Sequence, residues 1–232
     1  MARLPIILGI ARTPGNAFKF AGGTAAPAID PVLKKQILDR DDHTCAGCGF
    51  KSQKYQEVHF LNHDSQDLNP NNLITTCSFC HQCFNLDKVA QMRSGVLVWL
   101  PEIPQTELNH LARALFVARI SQGPLSDTAR KILDMLMARR ELARQRLGSD
   151  DPYVLATVLR DYIGPRHYAE REQKLQGIRL LPIDRRIIRE ADLEFNQFPQ
   201  ILAYWRSKDG PFSGKVPGLW VEMYKDLFRQ AG

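Results

Sequence analysis

Cys45-Ala-Gly-Cys48 and Cys77-Ser-Phe-Cys80 constrain this chain more than any other feature. Two thiolates separated by two residues can meet one metal ion across a tight turn. Two such pairs complete a tetrahedral four-sulfur site. Twenty-eight residues separate Cys48 from Cys77, which leaves room for a hairpin and a returning helix. Four sulfur ligands close the site and leave no position open for chemistry, so structural zinc is expected rather than iron. A zinc site of this kind contributes on the order of 10 kcal/mol to folding. The competing reading is four buried free thiols. Cys83, the fifth cysteine, falls on the helix expected after the second pair and reads as a buried thiol outside the ligand set.

Composition narrows the class. The 232 residues are 44% hydrophobic and 24% charged, ordinary for a globular protein. No apolar run approaches the ~20 residues of a membrane span. Met1 to Ile10 holds one arginine and a short apolar stretch broken by Pro5 and Gly9, unlike a secretory signal. Paired cysteines suit a reducing compartment with a metal, so a cytoplasmic chain is expected. The net charge of +6 raises the question of nucleic acid, and the distribution of that charge answers against it. Residues 31–99 carry seven Lys/Arg and seven Asp/Glu. Four thiolates around a divalent ion would make that stretch about two units negative, the opposite of a phosphate grip.

Two strands are expected at 4–12 and 17–21 around Thr13-Pro14-Gly15-Asn16, followed by a loop from Ala21 to Pro27. Asp30-Pro31 reads as N-cap and first turn of a helix with Val32, Leu33, Ile37 and Leu38 on one face. Tyr55 to Leu61 is a strand, and a helix should run from the second cysteine pair to about Asp87. Gly95 to Leu100 is another strand. Thr106 reads as the cap of a helix carrying Leu108, Leu111, Leu115 and Phe116. Pro124 to Leu147 reads as a single helix stopped by Gly148, and Asp151-Pro152 opens the next. Gly177 to Pro182 is an extended connector, followed by two or three short helices. Arg139, Arg140, Arg144 and Arg146 share the long helix and read as a solvated face or a docking surface for an acidic partner. The aromatic tail from Phe195 to Phe228 reads as core or protein interface.

Cys80 runs into His81 and is preceded by Asn72-Leu73, as in ββα-metal (HNH-type) nucleases. Such an enzyme needs a base to activate water and a second metal to stabilise the leaving phosphate. Aligned on that pattern, His59 takes a metal-ligand position, His81 the helix ligand and Asn72 the loop brace. Phe60 takes the position of the general base and cannot accept a proton. A one-residue slip would send the side chain to the other face of the strand. His63 is the remaining candidate base. The plainer reading is that His59, His63 and His81 are ordinary surface or partly buried histidines.

The residues around the cysteines resemble the IcmJ/DotN family of type IVB secretion systems. The likeness rests on Arg40-Asp41, Thr44-Cys45, Cys48-Gly49-Phe50, Tyr55-Gln56, Asn72-Leu73, Thr75, Cys77, Phe79-Cys80 and Gln82-Cys83-Phe84. Leu100-Pro101-Glu102, Glu107-Leu108-Asn109 and Ile178-Arg179-Leu180-Leu181-Pro182 extend it, so it covers about residues 35 to 185. The resemblance implies a zinc-binding subunit that is HNH-like in fold but not a nuclease. It also implies binding to the C-terminal extension of a DotL-like coupling ATPase alongside other secretion subunits, with the membrane reached only through that partner.

The expected fold is α+β, a zinc-centred ββα (HNH/treble-clef-like) module embedded in a mostly α-helical body. The expected division is 1–29 (N-terminal strands and loop), 30–104 (zinc module), 105–190 (helical body) and 191–232 (C-terminal helical extension). The expected function is a non-catalytic adaptor with Cys45, Cys48, Cys77 and Cys80 as structural zinc ligands. The alternatives are an HNH endonuclease with a second, catalytic metal and a zinc protein that binds nucleic acid without cutting it.

Overall fold

The computed structural model describes residues 3–11, 29–190 and 192–231. Helix α1 (Pro31–Arg40) starts where Asp30 accepts the Val32 N–H at 2.9 Å, with Pro31 in the first turn. Strands β1 (Gln56–Phe60) and β2 (Leu73–Cys77) then pair antiparallel, in register from Gln56↔Cys77 to Phe60↔Leu73. Helix α2 (Ser78–Cys83) follows directly from β2 and lies against β1. The expected continuation to Asp87 is broken. Gly9 donates its N–H to the Cys83 carbonyl and accepts the Leu86 N–H, both at 2.9 Å. This wedge ends α2, and α3 (Leu86–Met92) begins anew. Residues 4–10 are therefore not the expected strand. They follow the knuckle and the helix break, and Leu4 N–H bonds to the Ala46 carbonyl at 2.9 Å. The second expected strand and the turn before it lie outside the described residues, as does the loop from Ala21 to Pro27.

Strand β3 (Gly95–Trp99) leads to three helices: α4 (Gln105–Arg119), α5 (Pro124–Ala138) and α6 (Arg140–Leu147). Pro104 is the N-cap of α4, so Thr106 sits inside its first turn rather than capping it. The single helix expected over 124–147 is two. Arg139 separates them, and its carbonyl accepts the Trp99 N–H at 3.3 Å. Gly148 ends α6 with φ 75°, as its position suggested. Asp151 caps α7 (Pro152–Thr157) by accepting the Tyr153 N–H at 2.8 Å, and a π turn follows at Val158–Tyr162. Two short helices, α8 (Pro165–Ala169) and α9 (Arg171–Lys174), bring the chain back.

Ile178–Pro182 is strand β4, paired antiparallel with β3 from Gly95↔Pro182 to Trp99↔Ile178, where an extended connector was expected. After it comes a hairpin of β5 (Ile187–Glu190) and β6 (Leu193–Asn196) in place of a helix, then α10 (Phe198–Arg206) and α11 (Pro217–Ala231). The β3–β4 ribbon lies between two apolar clusters. Val98, Leu100 and Leu181 face the cluster built on α4, α5 and α10, while Leu97, Ile178 and Leu180 face Leu8, Leu86, Val89 and Leu155. Burial on both faces explains the unbroken apolar run Val96-Leu97-Val98-Trp99-Leu100, since neither side needs polar residues. The architecture is thus α+β, with small sheets among helices.

Candidate metal centre

The first cysteine pair sits on a turn that α1 delivers. Asp42 and His43 both adopt positive φ (50° and 51°) to reverse the chain. Thr44 and Lys51 then bridge, Cys45 N–H bonds to the Phe50 carbonyl at 3.0 Å, and Gly49 N–H returns to the Cys45 carbonyl at 2.8 Å. Gly49 has φ 76°, which glycine adopts without a Cβ clash. The second pair uses the start of a helix. Cys77 closes β2 and caps α2, its Sγ accepting the Cys80 N–H at 3.4 Å.

Polar side chains lock the two turns together. Asp41 accepts the Thr75 N–H at 2.8 Å, and Arg40 donates to the Pro70 and Leu73 carbonyls, both at 2.7 Å. Gln56 donates to the His43 and Phe50 carbonyls at 2.8 and 3.0 Å. Asn72 accepts the Asn62 N–H and donates to the Asp67 carbonyl, each at 2.9 Å, so it does brace the β1–β2 loop. Arg40, Asp41 and Gln56 thus tie the first turn to β1 and β2, while Asn72 holds the loop between those strands.

The result is a cluster of four sulfurs within 4.8 Å of one another. Cys45, Cys48, Cys77 and Cys80 are each no more than 1% exposed. Among the described residues it is the one group of three or more Cys, His, Asp or Glu side chains whose ligand atoms approach so closely. The donor set is all sulfur and fully enclosed, and positive and N–H groups point at it. Arg113 Nη2 lies 2.6 Å from Cys77 Sγ and 3.6 Å from Cys48 Sγ, and Asn109 Nδ2 lies 3.3 Å from Cys80 Sγ. Such surroundings suit thiolates, the form that binds metal, so the residues fit a metal ion held by four cysteines. Cys83 lies apart, donating to the Phe79 carbonyl at 3.3 Å, and burial pushes its thiol up.

Phe79, inside the second pair, anchors the centre to the body. Its ring meets Trp205 at 5.5 Å, Phe116 at 6.4 Å and Phe198 at 6.5 Å, and Phe50 meets Trp205 at 5.9 Å. Phe198 and Trp205 of the aromatic tail are therefore core.

The histidines converge more than their sequence suggested. The His59 ring lies 5.3 Å from His63 and 6.2 Å from His81, and stacks on Phe84 at 4.3 Å. Burial and the neighbouring charges of His81 and His63 push His59 down to about 3. Burial likewise lowers His81 to about 4 against the pull of Glu57. Both are neutral imidazoles at ordinary pH. Phe60 faces the other way, packed with Ile37 and Leu73 beneath α1. On the His59 side of β1, Glu57 pairs with Arg186 at 2.7 Å and Lys34 at 3.3 Å beside a polar cavity of about 270 Å³.

The arginines of α6 and its approach are occupied within the fold. Arg140 and Arg144 both bind Asp150, the latter at 2.8 Å. Arg139 pairs with Glu102 at 2.9 Å, and Arg146 lies 3.8 Å over the Trp99 ring. They staple α6 to β3 and to the loop before α7, so this group is neither a purely solvated face nor a free basic patch. Sequence reasoning missed Arg113 and Asn109 as neighbours of the sulfurs. The available signal was polar residues Gln105, Asn109 and Arg113 at every fourth position on the otherwise apolar face of α4.

No protein-family model matches the chain. The chain is similar to the type 4 apparatus protein DotN of Legionella pneumophila, at 33% identity over 165 residues, 68% of this chain and 77% of DotN. By that identity and coverage, the chain belongs to the DotN (IcmJ) family of type IV secretion.

Proposed function

We propose that this protein is a non-catalytic, zinc-built adaptor of a type IVB secretion coupling complex. Cys45, Cys48, Cys77 and Cys80 hold a structural Zn²⁺ in an HNH-like, treble-clef-like ββα module. The observation that carries the reading is the enclosure of the four-sulfur centre, whose inner shell is filled by Phe79, Arg113 and Asn109 rather than open to substrate. The relative's role as an apparatus protein supports a subunit of the same kind of machine. In this reading residues 30–104 are the module, 105–190 the helical body and 191–232 an extension, with 1–29 preceding them.

The partner is the C-terminal segment of a DotL-like coupling ATPase, which would hold the protein at the inner membrane from the cytoplasmic side. No helix of the described residues is long and apolar enough to cross a membrane. Exposed apolar residues outside the knuckle, such as Val154, Val158 and Tyr162 along α7 and its π turn or Leu219 and Met223 on α11, are the surfaces such a partner would use. Affinity purification from solubilised membranes of the native host should recover the ATPase with this protein. Recovery of the protein alone under conditions that keep membrane complexes intact would refute the assignment.

The convergence of His59, His63 and His81 favours one second reading, an HNH endonuclease with a catalytic metal beside the zinc. Plasmid nicking with magnesium, manganese or nickel decides between them. Cutting that disappears in His59→Ala and His81→Ala would replace the adaptor reading with the nuclease.

A further inference from the structure

We infer that α4 supplies the outer half of the metal centre, with Arg113 as a positioning residue that balances its charge. The inference rests on the zinc reading above and adds to it a residue outside the cysteine motifs. Arg113 is 1% exposed, and a guanidinium so far from water requires a nearby anion. Its hydrogen bonds go to Cys77 Sγ, Cys48 Sγ and His110 Nδ1. The Phe50 ring at 4.1 Å and the Phe79 ring at 5.1 Å clamp the group, and its Nε has no hydrogen-bond partner among the described residues. Stacking and the sulfur charge together hold it. Four thiolates around Zn²⁺ carry two negative charges, and one buried arginine removes half of that excess.

The same helix face continues the connection outward. Asn109 donates to Cys80 Sγ at 3.3 Å and accepts from Gln105 Nε2 at 2.9 Å. Gln105 in turn exchanges two hydrogen bonds with the Leu180 backbone of β4, at 2.8 and 2.9 Å. An unbroken buried chain thus runs from a sulfur of the centre to the ribbon between the two apolar clusters. The centre and the body share one polar network, and loss of the metal at one end should loosen the other.

Partners of metal ligands contribute about 10–100-fold to metal affinity. The test uses the full-length, zinc-loaded chain and its Arg113→Met and Arg113→Lys variants. Zinc transfer to a chromophoric chelator is timed, and the sulfur-to-cobalt charge-transfer band is recorded after Co²⁺ substitution. The expected result is release about 10–100-fold faster in Arg113→Met, with a band at lower energy because the thiolates lose their neighbouring cation. Arg113→Lys should recover most of both effects. Release at the wild-type rate in Arg113→Met, or no recovery by lysine with an unmoved band, would overturn the charge role. Absence of zinc from the wild-type protein would remove the underlying zinc reading as well.

The network also makes a claim that needs no Arg113 variant to fold. On chelation of the wild-type protein, hydrogen exchange at the Leu180 amide should accelerate together with that of the knuckle. Unchanged protection at Leu180 while the knuckle opens would overturn the link through Gln105 and Asn109.

Discussion

His59 gives the sharpest test of how this fold treats a buried titratable group. It is 6% exposed, stacked on Phe84, and held down to about 3 by burial and by the charges of His81, His63 and Lys88. In the unfolded chain the same group titrates near 6.5. Below that value the unfolded state binds a proton that the folded state refuses. Stability therefore rises with pH through this window and is lost as pH falls beneath 6.5. At about pH 5 the difference is RT ln(1 + 10^1.5), or about 2 kcal/mol, and at about pH 7.5 it is negligible. The perturbation is His59→Gln, which keeps a polar planar end and cannot titrate in this range. Urea unfolding of metal-saturated protein at the two pH values measures the effect. Acid also competes with metal for the cysteines, but both variants share that loss, so their difference isolates His59. Wild type should lose about 2 kcal/mol more than His59→Gln between the two conditions. Parallel losses would refute the assignment of His59 as a neutral, buried base.

Three other perturbations address the framework. Gly177 has φ 82°, and a Cβ there would lie 2.4 Å from the Trp99 ring, so Gly177→Ala should cost at least about 2 kcal/mol and lower Tm by about 4–8 °C. An unchanged melting curve would disprove the close approach. Asp150, 8% exposed, joins Arg140 to Arg144. Asp150→Asn should lose about 1–2 kcal/mol in urea unfolding, less than a fully buried pair because both arginines reach solvent. Chelation of the metal should red-shift Trp205 emission as the Phe79–Trp205 contact opens, and a spectrum indifferent to metal content would show that the aromatic core stands without the centre.

Elements announced by local chemistry were legible from the sequence. The cysteine pairs, the Asp30-Pro31 and Asp151-Pro152 helix starts, the β1 run and the stop at Gly148 each depend on neighbours within a turn or a strand. What escaped depends on distant parts of the chain. Gly9 divides α2 from α3, and nothing in residues 78–92 encodes its arrival. Strand β4 meets β3 across about eighty residues, and its short run looked like a connector without that partner. In the β5–β6 hairpin exposure rises from Ile187 to Glu190 and falls again from Leu193 to Asn196 instead of alternating, and its Arg189–Glu194 pair lies on the surface. Arg113 was hidden differently. A charge on an apolar helix face is an anomaly that only the position of the sulfurs explains.

Strand β1 is held by contacts on both its faces. Val58 and Phe60 pack beneath α1 with Ile37 and Leu73, while Glu57 lies outside that cluster and binds Lys34 of α1 and Arg186. The register Phe60↔Leu73 follows from those contacts. A slip of one residue would move Glu57 toward Ile37 and Leu73 and away from Lys34 and Arg186, leaving a carboxylate in an apolar cluster and two cations without their anion. The packing that keeps Phe60 away from His59 and His81 is thus the packing that stabilises the hairpin. A titratable side chain substituted at position 60 would therefore be directed toward α1 rather than toward His59 and His81.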